Sequence, residues 1–155
     1  MIDRDAIVAR ARTFKDIPYQ HQGRTRNGLD CLGLCWVTYS KFVAFEEQEF
    51  PEGSFSYFHN YARDPDPERM GVGFERFFYT VPKDEALPGD MIWLKIMGQP
   101  KHMGIVTAGE PLRMIHAYGQ LGRHSRDRGV GRVVEHDLDP KWDRRVHRIL
   151  RLKGL

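Results

Sequence analysis

The sequence predicts an α+β domain, with helices first and an antiparallel sheet after them. Three observations lead there. Apolar residues recur at helical spacing near the N-terminus, and a run from 32 to 45 is apolar on most faces. From residue 87 onward, short apolar runs alternate with Gly, Pro and Asp breaks, the pattern of strands joined by tight turns. The chain has 155 residues, enough for one real core and too few for two comfortable ones, so 1–155 is expected to be a single domain.

Taken in order, Asp3 has the chemistry of an N-cap, and Ile7, Ala11 and Phe14 follow at helical spacing, predicting a helix over 4–14. Pro18, Gly23 and Gly28 make the next stretch a loop. Residues 32–45 read as a largely buried central helix. Residues 46–80 carry aromatics without clean periodicity, and "DPDP" within them reads as a turn or loop. "LPGD" is a second turn, and "MIWLKI", "HMGIVTA", "LRMIHAY", "GRVVEHD" and "VHRILRL" are the strand candidates.

Composition excludes several classes. No stretch approaches the ~18–20 apolar residues of a membrane span, and "MIDRDAIVARARTF" carries acidic residues where a secretion signal would be apolar. The expectation is a protein made in the cytoplasm without a signal peptide and without a membrane partner. Net charge is +3 with a pI near 8.9, and much of the excess follows residue 120, in "GRHSRDRGVGR" and "KWDRRVHRILRLK". That segment reads as a solvated cationic edge or as an attraction to an anionic polymer. No nucleic-acid motif accompanies it, and no nucleic-acid partner is expected.

The only two cysteines, Cys31 and Cys35, lie four apart on one predicted helix, where a disulfide is poorly placed. Cys35, with Tyr39 and Phe42 on its side, reads as a small core hydrophobe. Cys31 sits where loop becomes helix. A helix N-terminus offers unpaired N–H groups and partial positive charge, which favour a thiolate. Asp30 is the matching N-cap, and Gly33 leaves the backbone open to a substrate. A nucleophile also needs a base and a group to orient it. His102 opens one strand candidate and His116 lies in the next; on neighbouring antiparallel strands the two imidazoles would lie side by side. A zinc site from Cys31, His102 and His116 is the competing reading, without the short ligand spacing usual for zinc. No metal or organic cofactor is expected.

The ordered set "IPYQHQG", "DCLGL", "LPGDMIWL", "HMGIVTAG" and "MIHAYG", running from residue 17 to about 119, resembles the NlpC/P60 family of cell-wall cysteine peptidases. The resemblance implies a papain-like α+β fold in which the helix bearing the cysteine packs on the sheet bearing the histidines. It implies Cys31 as nucleophile, His102 as general base and His116 as the residue orienting it. Tyr19 would aid substrate binding or stabilise charge, Asp30 is the aspartate before the cysteine, and the N–H of Cys31 suits an oxyanion hole. The implied reaction is hydrolysis of peptide bonds in the peptidoglycan stem, often between D-glutamate and a diamino acid. The compact form is similar to the NlpC/P60 proteins of bacteriophage tails and gene transfer agents, which makes tail proteins expected partners and a virion or tail an expected location. Leu32 stands where the family commonly has serine, and Gly23 alone remains of a usual glycine pair. The alternatives are an amidase or acyltransferase of the same superfamily, and a catalytically silent structural tail component.

Overall fold

The computed structural model describes residues 1–45, 61, 65–119 and 131–155. Helix α1 spans Arg4–Arg12, and Asp3 caps it by accepting from the Asp5 N–H at 3.0 Å. It ends earlier than the spacing predicts, because Thr13 closes it and its hydroxyl donates to the Arg10 carbonyl. Phe14 and Ile17 nevertheless stay in the core through the turns that follow. The loop then forms a two-stranded ribbon, β1 (Arg24–Thr25) against β2 (Gly28–Leu29).

Helix α2 spans Cys31–Tyr39 and is shorter than the expected 32–45. Phe42, Val43 and Phe45 still pack against the core, so their apolar character is satisfied without helical geometry. Helix α3, Pro67–Phe77, is an addition to the expected elements. Asp66 caps it, accepting from the Glu68 N–H at 2.9 Å, and Pro67 takes the first turn, where a missing N–H costs nothing. The second half of "DPDP" is therefore a helix start. Residues 46–60 and 62–64, and with them most of the unreadable segment, lie outside the described residues.

The strands form one antiparallel sheet in the order β3-β8-β4-β5-β6-β7. They are β3 (Phe78–Val81), β4 (Met91–Ile96), β5 (Gln99–Ala108), β6 (Arg113–Tyr118), β7 (Arg132–Asp137) and β8 (Val146–Leu152). Five were expected; β3 was hidden in the unread segment. A short helix, α4 (Pro140–Asp143), joins β7 to β8.

Both faces of this sheet are covered, which is why "MIWLKI" reads as a continuous apolar run instead of alternating. On one face Met91, Trp93, Met103, Ile105, Ile115 and Leu150 share a core with Ile7, Leu34 and Tyr39 of the helices. On the other, Ile92, Leu94, Val106, Met114 and Ile149 are packed by Leu138, Trp142 and Val146.

The "LPGD" turn is tied down by charge. Buried Asp90 receives Arg4 at 2.9 Å and Arg151 at 2.9 and 3.0 Å, and it also accepts from the Leu87 N–H. Gly89 takes φ +90°, and the Tyr39 hydroxyl donates to its carbonyl at 3.0 Å. These bonds join the N-terminal helix, the turn and the last strand at one buried carboxylate.

Candidate active site

Three parts of the fold meet at a cavity of about 190 Å³: the loop before α2, the N-terminus of α2, and the cavity ends of β5 and β6. Tyr19, Asp30, Cys31 and His102 line it, together with His21, Tyr61 and Tyr118. His116 stands one layer behind, fully buried. Gly33 does not reach the cavity. A Cβ at that position would overlap the Gly23 carbonyl oxygen and crowd Arg24 and Asp30, so glycine is needed there for internal packing. This corrects the expectation that Gly33 opens the backbone to a substrate.

Cys31 is the first residue of α2, so its N–H has no helical carbonyl behind it. The pairing of β5 with β6 includes Ile105 with Ile115 and Val106 with Met114. Closer to the cavity, the backbone of β5 is met by α2. The Met103 N–H bonds the Cys31 thiol, and Cys35 donates its thiol hydrogen to the Gly104 carbonyl at 3.9 Å.

Asp30 organises the loop beside the cysteine. Its carboxylate is buried and accepts from the Gly33 N–H and the Gln22 N–H, each at 2.7 Å. The Tyr61 hydroxyl also donates to it, and Arg24 lies at 3.3 Å. Burial, followed by the Asp30 charge, pushes the Tyr61 hydroxyl well above its usual range, so it remains a donor. His21 and the Gln22 side chain donate in turn to the Tyr61 carbonyl, at 3.1 and 2.7 Å. Asp30 is thus a post for the N-terminus of α2 and for one wall of the cavity.

The histidines lie on adjacent strands. His102 of β5 and His116 of β6 meet at 2.7 Å, Nε2 to Nδ1. His116 then meets His136 of β7 at 2.8 Å, Nε2 to Nε2. In the β6–β7 register His116 pairs with Val134 and Met114 with His136, so the two histidines are diagonal neighbours on one face. Trp142 of α4 packs its ring against all three, with centroids 5.9, 4.9 and 5.6 Å away.

Burial also decides the charge states. It pushes the Cys31 thiol up to about 12, aided by the adjacent Asp30 carboxylate. The N–H groups of Met103 and Leu32, and Arg24, oppose this without overcoming it. Desolvation thus opposes the thiolate expected at the helix terminus. His102 is pushed down to about 3, first by burial and then by its neighbours Arg145 and His136. His116 is lowered for the same leading reason. The pair facing the cavity is a neutral thiol and a neutral imidazole.

Among the described residues, no cluster of three or more His, Cys, Asp and Glu is arranged to hold a metal ion. The three imidazoles use four of their six nitrogens on one another, and His136 Nδ1 bonds the Asp137 carbonyl. No described helix is long and apolar enough to cross a membrane. Tyr61, Arg24, His136 and Trp142 are the members of this arrangement that the sequence reading missed. The signal for His136 was present in "VVEHD", but its register on β6 runs through the 120–130 connection, which has no readable pattern.

Residues 16–136 match the model of the NlpC/P60 family. No curated protein sequence matches the chain. Among solved structures, the NlpC/p60 domain of the peptidoglycan hydrolase SagA aligns with a TM-score of 0.61 at 20% identity, over 97% of this chain and 99% of that one. An NlpC/P60 family protein from Bacillus cereus ATCC 10987 aligns with a TM-score of 0.61 at 19% identity, over 97% and 40%. A protein similar to a lipoprotein of the NLP/P60 family, from Staphylococcus aureus subsp. aureus Mu50, gives 0.60 at 18%, over 96% and 41%. The chain spans about two fifths of the length of these last two. At such identities the likeness establishes the fold, which is papain-like α+β.

Proposed function

The chain belongs to the NlpC/P60 family, and on that premise we propose that it is a cysteine peptidase acting on the peptidoglycan stem, with 1–155 as one functional unit. The observation that carries this reading is the shared cavity: Cys31 and His102 both line it, while His116 holds His102 from behind.

In this reading Cys31 Sγ attacks the scissile carbonyl as its proton passes to His102 Nδ1, the nitrogen that His116 does not engage. Because both groups start neutral, transfer accompanies attack; there is no standing ion pair. Charge gathering on the carbonyl oxygen faces the N–H of Cys31 at the start of α2. His102 then gives its proton to the leaving amine, and the thioester remains. Water, deprotonated by His102, completes the hydrolysis. Tyr19 and Tyr61 form the walls against which a peptide would lie.

Cleavage between D-glutamate and a diamino acid, and carriage in a phage or gene-transfer-agent tail, belong to the same proposal and are supported by the sequence resemblance. The test is digestion of purified peptidoglycan and stem peptides, with products identified by mass. New amino termini released by the native chain and lost in Cys31→Ala support the peptidase. Equal release by both proteins refutes it. Retention of the chain by assembled tail particles checks the finer placement.

A further inference from the structure

The histidine chain does not end where the nucleophile's reading needs it to. Beyond His116 lies His136, half-buried on β7, and its Nδ1 lies 2.9 Å from the Asp137 carbonyl oxygen. A carbonyl oxygen only accepts, so this nitrogen carries the hydrogen. In the neutral form of this ring, Nε2 is then a lone pair. His116 meets that lone pair with its own Nε2, which must donate. The remaining nitrogen of His116, Nδ1, is therefore an acceptor, and His102 Nε2 must donate to it. With all three rings neutral, every hydrogen along three strands follows from one backbone oxygen, and the last lone pair falls on Nδ1 of His102, which shares its cavity with Cys31.

We propose that His136 is a positioning residue, which through His116 holds His102 in the tautomer whose Nδ1 can receive the Cys31 proton. Trp142 supports this arrangement by covering all three rings, and Arg145 stacks on the outer side of Trp142 at 4.6 Å. Without His136, His116 has no reason to keep its hydrogen on Nε2. Moved to Nδ1, that hydrogen would point at His102 Nε2 and drive the His102 hydrogen to its own Nδ1. The base would then be blocked.

The inference rests on the peptidase reading for its consequence, but the tautomer can be read without any substrate. The experiment is long-range 1H–15N correlation on the full chain labelled at histidine, for native protein, His136→Phe and His136→Gln. The native chain is expected to show His102 hydrogenated at Nε2. The Phe variant, with a native melting temperature, should shift His102 towards the Nδ1–H form and lower kcat about tenfold or more at similar KM. The Gln variant, whose side-chain oxygen can accept from His116, should restore both. A native His102 hydrogenated at Nδ1 overturns the proposal, as does a folded Phe variant with unchanged tautomers. If the Phe variant does not fold, a Gln variant with a displaced tautomer overturns it, and one with the native tautomer upholds it. A tautomer shift in a chain that cleaves no peptidoglycan retires the peptidase reading and leaves the positioning role standing.

Discussion

Cys31 and His102 face one cavity as two uncharged groups, the thiol pushed up to about 12 and the imidazole down to about 3. Alkylation by iodoacetamide reports this directly, with Cys31→Ala as the blank for Cys35. The rate should be low at neutral pH and still climbing above pH 9. A plateau reached below pH 8 would mean that a thiolate–imidazolium pair already exists in the resting protein.

Acid should weaken the fold from a predictable point. His102 and His116 are held neutral in the folded chain, whereas unfolded histidine takes up a proton near 6.5. Their contribution is complete above that value and is lost as the pH falls below it, for His102 down to about 3, by at most about 1.4 kcal/mol per pH unit for each ring. Urea midpoints at pH 7.5, 5.5 and 4.5 measure it. His102→Phe should flatten the decline.

Asp90→Ala should cost about 3 kcal/mol, since it strands Arg4 and Arg151 and the Leu87 N–H together. For a chain of this size that is a fall of roughly 10 °C in melting temperature. Asp90 does not line the cavity, so residual activity at low temperature should survive.

Gly33→Ala should also destabilise, by about 3 kcal/mol, because the added methyl meets the backbone at Gly23 and no flexible side chain can give way. Thermal melts check this. A native-like melting temperature would show that the loop against α2 can move.

Tyr61→Phe separates wall from post. Asp30 keeps the Gly33, Gln22 and Arg24 contacts, so the stability loss should be near 1 kcal/mol. A kcat/KM loss exceeding the change in stability would place the Tyr61 hydroxyl in substrate handling. Equal, small losses would limit it to holding Asp30.

The elements with a local signal were legible. Asp3 and its apolar followers marked α1, and the breaks between apolar runs marked five of the six strands of the large sheet. Helix ends were less so: α2 stops at Tyr39 although apolar residues continue, because burial does not demand helical geometry. Helix α3 had a readable start in Asp66-Pro67, overlooked because the same letters also write a turn. Cys31, His102 and Tyr19, which motif order singled out, all line the one cavity. Tyr61 was not singled out, since its link to Asp30 exists only through folding of a segment without periodicity. Burial bears on the charge states in a related way. A helix terminus is visible in sequence, but the burial that opposes it is not.

The three imidazoles each belong to a different strand, and they align only in one pairing of β5, β6 and β7. A slip of a single residue sends His116 to the opposite face and breaks the row. Under the proposed peptidase function, turnover is thus a gauge of strand alignment: a mispaired molecule would be silent, not merely slow. Recovery of turnover during refolding would time the moment when these three strands find their final pairing.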